Sequence, residues 1–395
     1  MTDAEAARSL LSAAAVRERA HEMLAIALDG GMTDWSVNLA RLPATADIVA
    51  DVIRAQYPTL QVPFHARWRH FVVGGRDLWA EMAATTDWPD ANEKARAAFD
   101  LAITSVLLDA GAGPAWRFLD APTCTETRRS EGLGVASLRL FQSGVLSASG
   151  DDPCADGLAD LTAEALADAF QVTDANPLIG LEGRAALLRR LGAAVGRPGH
   201  LFDVMAARAE NQRLPAPVIL EVLLEKLGPI WENRLTLGGL PLGDTWRHPA
   251  IKRADATDGL VPIHKLLQWL AYSLIEPLEE AGITVHSLDG LTGLAEYRNG
   301  GLFIDDGVMV LKDPADMDRT HAVGDPLVVG WRSLTVALLD RIAPLVRERL
   351  GVAEADFPLA RVLEGGTWAA GRVLAKARRE GGGPPLTITS DGTVF

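Results

Sequence analysis

Asp90-Ala-Asn-Glu-Lys-Ala-Arg-Ala-Ala-Phe-Asp100-Leu-Ala-Ile-Thr-Ser-Val-Leu-Leu-Asp-Ala110 runs straight into Gly111-Ala112-Gly113-Pro114. Alanine and leucine dominate it, and both are strong helix formers. Asp90 has the short acceptor side chain that caps a helix start, and the Gly/Pro run cannot continue a helix. The spacing therefore predicts one long helix over residues 90–110.

The same grammar recurs on both sides of it. Apolar residues at helical intervals predict helices over 4–29, ending at Gly30-Gly31, and over 46–55, before Tyr57-Pro58. Others are expected over 130–142, 158–170, 178–195, 199–209, 218–226, 263–282 and 334–349. Strand signals are few. Residues 234–242 suit a hairpin around Gly238-Gly239, residues 302–311 a strand pair turning at Asp305-Asp306-Gly307, and residues 385–395 a ribbon turning at Asp391-Gly392. No repeat period, GxGxxG or Walker-type loop is found. The expected fold is mainly α, multi-helical with small β hairpins. A single large helical domain over 1–395 is expected, with a subdivision near 150–157, where the chain is acidic and turn-rich.

Composition narrows the function classes. At 395 residues and 48% hydrophobic content the chain can bury a large core. A net charge of −14 argues against general affinity for nucleic acid or anionic membranes. Two cysteines, Cys124 and Cys154, are too few for a disulfide framework or a four-thiolate zinc site. The N-terminus lacks a signal pattern and no stretch of 18 apolar residues occurs, so a cytoplasmic protein is expected.

Polar clusters set among the helices are the chemical candidates. Pro63-Phe-His65-Ala-Arg67-Trp68-Arg69-His70-Phe71 gathers cations and aromatic rings in an acidic chain, which suits a small anion. Its plainer reading is a helix start with buried rings and wet cations. Asp100 and Asp109 interrupt an apolar helix and project to opposite faces, so capping or solvent exposure is the plain reading of each. In Arg128-Arg129-Ser130-Glu131, Ser130 is expected to cap a helix while Arg129 meets an anion at its positive end. Gly243-Asp244-Thr245-Trp246-Arg247-His248-Pro249 is a loop in which Asp244 and His248 can form an acid–base pair, an Asp-turn being the alternative. In Glu296-Tyr297-Arg298-Asn299-Gly300-Gly301 a carboxylate, phenol and guanidinium stand beside glycines that permit close backbone approach. The plain reading there is a polar turn before a hairpin. His65 and His70 are five apart and neither HExxH nor CxxC occurs, so no metal is assigned, although those histidines keep that question open. GxSxG is absent, and no cofactor is expected.

Five strings together resemble a known family: residues 64–71, 99–117, Arg129-Ser-Glu-Gly-Leu133, Glu296-Tyr-Arg-Asn-Gly-Gly301 and the tail Ser390-Asp-Gly-Thr-Val-Phe395. They resemble the URC-pathway uracil-catabolism family of fungi and bacteria, from about residue 35 to the last residue. That resemblance implies a pathway in which uracil becomes a nucleotide, its ring opens, and ribosylurea-type intermediates yield urea. Glu296-Tyr297-Arg298 is also similar to the Asp-Tyr-Arg element of queuosine-salvage N-ribohydrolases, with Glu in place of Asp. This second likeness implies a helical architecture of the DNA-glycosylase kind.

The function these expectations describe is N-glycosidic hydrolysis of ribosylurea or its 5′-phosphate, releasing urea. An oxocarbenium-like transition state needs a carboxylate near the anomeric carbon and an acid for the leaving group. Glu296 is the leading carboxylate and Asp244 the second. Tyr297, Arg298 and Asn299 would orient sugar and urea. Arg67, Arg129 and His70 would hold phosphate, and Trp68, Trp246 and His248 would complete the pocket. The alternatives are a non-catalytic protein that binds and channels a pathway intermediate, and a metal-dependent ureide amidohydrolase. The expected partner is a small ribosyl or ribose-phosphate molecule, with no nucleic acid or membrane, and homo-oligomerisation is left open.

Overall fold

The computed structural model describes residues 2–150 and 152–389, which form two compact units. Residues 2–65, 234–268 and 287–389 make one, and residues 66–233 with 269–286 make the other. The architecture is mainly helical with short strand pairs, as the periodicity predicts.

In the unit of residues 66–233 and 269–286 the deciding helix is present as Ala91–Leu107, with the Asp90 carboxylate accepting the Glu93 amide at 2.8 Å. Its C-terminal two-thirds is buried against Arg129–Gln142, Leu181–Val195 and Leu201–Arg208. Phe99 meets Phe202 edge-on at 5.6 Å between centroids. Asp100 neither caps this helix nor faces solvent. It is fully buried, accepting from Arg197 Nε at 2.7 Å and from the Gly199 amide at 2.6 Å. Asp109 turns to different partners, as the opposite projection requires.

In the other unit Pro326–Leu350 is the main helix, packed on Ala13–Leu28 and Leu42–Gln56. It begins earlier than the expected 334 because Pro326 occupies its first turn, where a missing N–H costs nothing. The expected first helix is two, Asp3–Ser9 and Ala13–Leu28, because Ser12 caps the second through the Ala15 amide. Gly238 and Gly239, with φ of 56° and 77°, turn the expected hairpin between Thr236–Leu237 and Leu240–Pro241.

The strand pair expected over 302–311 is not formed. Tyr297–Asp305 is a helix, and only Met309–Leu311 is extended, antiparallel to Trp35–Val37. Alternation over so short a run does not separate strand from buried helix, and a cap at its start decides for the helix. Of the C-terminal ribbon, Thr387–Thr389 pairs in parallel with Thr320–Ala322, while the expected Asp391-Gly392 turn lies outside the described residues. Among the described residues no helix is long and apolar enough to cross a membrane.

Candidate functional site

The cap that makes Tyr297–Asp305 a helix is Glu296. Its two oxygens accept the Arg298 amide at 2.7 Å and the Asn299 amide at 2.5 Å. Capping positions favour shorter side chains, and this one is 8% exposed. Burial pushes the Glu296 carboxyl above its usual range, opposed by the two amides and by the nearby charges of Lys265 and His65. Gly300 and Gly371 permit this packing. A Cβ at Gly300 would lie 2.5 Å from Trp331 Nε1, and one at Gly371 would lie 2.2 Å from the Arg298 carbonyl oxygen.

Against this capped turn runs a second irregular element. The chain continues from Leu359–Val362 through a π-helical turn, Leu363–Thr367, into Trp368–Arg378. Such turns insert a residue into the helical ladder and are frequent at functional sites. Thr367 donates to Asn299 Oδ1 at 2.8 Å, and Asn299 Nδ2 donates to the Leu294 carbonyl at 3.1 Å. Glu364 on the same turn meets His65 Nδ1 at 2.5 Å, and the imidazole lies 5.8 Å from the Trp368 ring. Arg298 reaches the Gly382 carbonyl at 2.7 Å and covers Tyr297, which is half-buried.

Asp244 enters the arrangement through Lys265. Its Oδ2 accepts the Lys265 amide at 3.0 Å, at the first residue of Lys265–Glu280. Arg332 clamps the same carboxylate with two bonds of 2.8 Å, and Trp246 Nε1 donates to it at 2.6 Å. Burial alone would raise the Asp244 pKa, but Arg332 and these donors outweigh it and hold the group below its usual range. The expected Asp244–His248 pair is replaced by this clamp. His248 is buried, its Nδ1 accepts the Ala250 amide at 3.1 Å, and its Nε2 has no partner among the described residues. Burial lowers its pKa. Trp246 is half-buried under Arg234.

The remaining candidates belong to the other unit. Arg67 is fully buried in a short 3-10 helix, Arg67–Phe71, with Nε donating to Ser105 at 2.6 Å and Nη1 to Asp109 at 2.7 Å. Its charge is thus already balanced. Trp68 Nε1 donates to the Ser273 carbonyl at 2.7 Å, and the His70 ring stands edge-on to Trp269. Arg129 is exposed, with φ of 55° at the start of Arg129–Gln142. Ser130 does not cap that helix. Its hydroxyl donates to Asp109 at 2.6 Å.

The structure therefore unites Glu296, Tyr297, Arg298 and Asn299 with His65, Lys265, Glu364 and Thr367. The sequence reading missed the last three and weighed His65 only within the anion-binding cluster and as a metal ligand. One signal was available: Glu364 stands directly before the paired glycines Gly365-Gly366, as Glu296 stands before Gly300-Gly301 with three residues between. Among the described residues no group of three or more His, Cys, Asp or Glu side chains converges as a metal site.

Residues 9–395 match the family described as proteins of unknown function, DUF1688. The chain belongs to that family. It is 38% identical over 406 residues to Protein urg3 of Schizosaccharomyces pombe, spanning 99% of both chains. It is also 36% identical over 418 residues to Uracil catabolism protein 4 of Lachancea kluyveri, spanning 93% of each. The resemblance to the uracil-catabolism family read from the sequence is borne out by these matches to DUF1688 and its relatives.

Proposed function

We propose that this DUF1688 protein acts in uracil catabolism and hydrolyses the N-glycosidic bond of ribosylurea or its 5′-phosphate. The name of the Lachancea kluyveri relative supports the pathway. The observation that carries the reaction is the buried Glu296 carboxylate, within the electrostatic reach of Lys265 and His65. A carboxylate has about four lone-pair positions, so two amide bonds leave acceptor capacity for a water or a sugar hydroxyl. In a site shielded from water its charge acts strongly on a developing oxocarbenium ion.

In this reading Glu296 stabilises positive charge at the anomeric carbon and receives a proton from the attacking water. Asn299 and Arg298 brace the turn that carries it, and Asp244 fixes the start of the Lys265 helix. Arg67 is not part of this site and stabilises its own unit through Asp109.

A second reading, a binding protein for the same intermediate, draws on the same carboxylate, since both its oxygens already cap a helix. Urea release by wild type and by Glu296→Gln decides between them. The enzymatic reading expects turnover in the wild type and a loss of about 10²-fold or more in the variant. Micromolar binding of ribosylurea phosphate without turnover supports the second.

A further inference from the structure

Outside the capped turn, the His65–Glu364 pair is a second buried titratable group of its unit. His65 sits near the end of an extended segment, where its amide donates to the Ala360 carbonyl at 3.1 Å. Its side chain is 7% exposed and that of Glu364 13%. An ion pair at this depth carries a desolvation cost that apolar residues would avoid. The π turn that carries Glu364 is a second departure from regular structure, of a kind frequent at functional sites. Two departures from regular packing meeting at one imidazole, whose charge reaches Glu296, are explained by chemistry at that imidazole.

We propose that His65, oriented by Glu364, is the general acid–base of the Glu296 site, an assignment that rests on the N-glycosidase reading above. Glu364 accepts the Nδ1 proton and fixes the tautomer, so that the imidazole exchanges protons with the ligand through Nε2. As the bond between the anomeric carbon and the urea nitrogen breaks, the imidazolium gives that nitrogen its proton and urea leaves neutral. Water then bonds to the anomeric carbon and loses a proton to Glu296. Return of that proton to His65 through solvent restores the starting state, and no other reactant is consumed. Glu364 is bonded to the imidazole, Glu296 feels its charge, and the guanidiniums of Arg361, over the Phe64 ring, and Arg372, over the Trp368 ring, stand on the segments packed beside it.

The test is steady-state urea release from ribosylurea and its 5′-phosphate between pH 5 and 9, using wild type, His65→Asn, Glu364→Gln and Glu364→Asp. Asparagine retains an N–H near the Nδ1 position, so this variant does not strand a bare carboxylate, and thermal melting reports on its folding. Loss of about 10²-fold or more in kcat, with KM nearly unchanged and one limb of the pH profile gone, is expected for His65→Asn. Glu364→Gln should lose kcat in the same KM-sparing way, and Glu364→Asp should recover part of it. Full kcat and an intact pH profile in a folded His65→Asn overturn the acid–base role while leaving the N-glycosidase reading in place. A wild type that releases no urea from either substrate overturns that reading first, and the role of His65 with it.

Discussion

Asp100 and Glu296 are both buried carboxylates that accept backbone amides, yet their surroundings set them different tasks. Burial pushes Asp100 from 3.8 up to about 7, against the pull of Arg197 and the Gly199 amide. Between these two values the folded chain keeps a proton that the unfolded chain has released. Asp100 thus favours folding at acid pH, and its contribution is lost as pH rises through about 7. The stability of wild type minus that of Asp100→Asn should fall between pH 4 and pH 8, measured by urea unfolding at each pH. A difference that grows over that range contradicts the assignment. Glu296, by contrast, has Lys265 and His65 within reach, and the role proposed for it is charge stabilisation, which Glu296→Gln tests directly.

At the scale of elements, the capped turn and the π turn are held together by backbone approach as well as by side chains. With the Arg298 carbonyl oxygen 2.2 Å from the Cβ position of Gly371, Gly371→Ala must separate the two helices. A loss of about 1–3 kcal/mol in unfolding free energy is expected, together with weakened urea release. An unchanged denaturant midpoint would show that the contact is not tight. Elements were legible in the sequence where punctuation was strong, as at Asp90 with its Gly/Pro stop and at Gly238-Gly239. The helix Tyr297–Asp305 was not, because a glutamate is an unusual cap and the run alternates like a strand. Glu296 was still singled out as a candidate, since its chemistry could be judged from its neighbours alone. His65–Glu364 could not, because 299 residues separate the partners and nothing local records their meeting.

For the molecule as a whole, a net charge of −14 means that an anionic substrate must be drawn by cations placed locally. Lys265 supplies such a cation near Glu296, whereas Arg67 and Arg69 in the other unit are paired with Asp109 and Glu276. Composition could show that such exceptions exist, but not which of them fold inward against a carboxylate. The name of the Lachancea kluyveri relative supplies a pathway for the proposal and leaves the bond that is cleaved to experiment. The most direct measurement is turnover of ribosylurea 5′-phosphate by the purified protein in ¹⁸O-labelled water, with mass analysis of the products. Cleavage of the N-glycosidic bond predicts urea and ribose 5-phosphate, with no label in the urea. Ammonia and labelled carbon dioxide in place of urea, or no products at all, would contradict it.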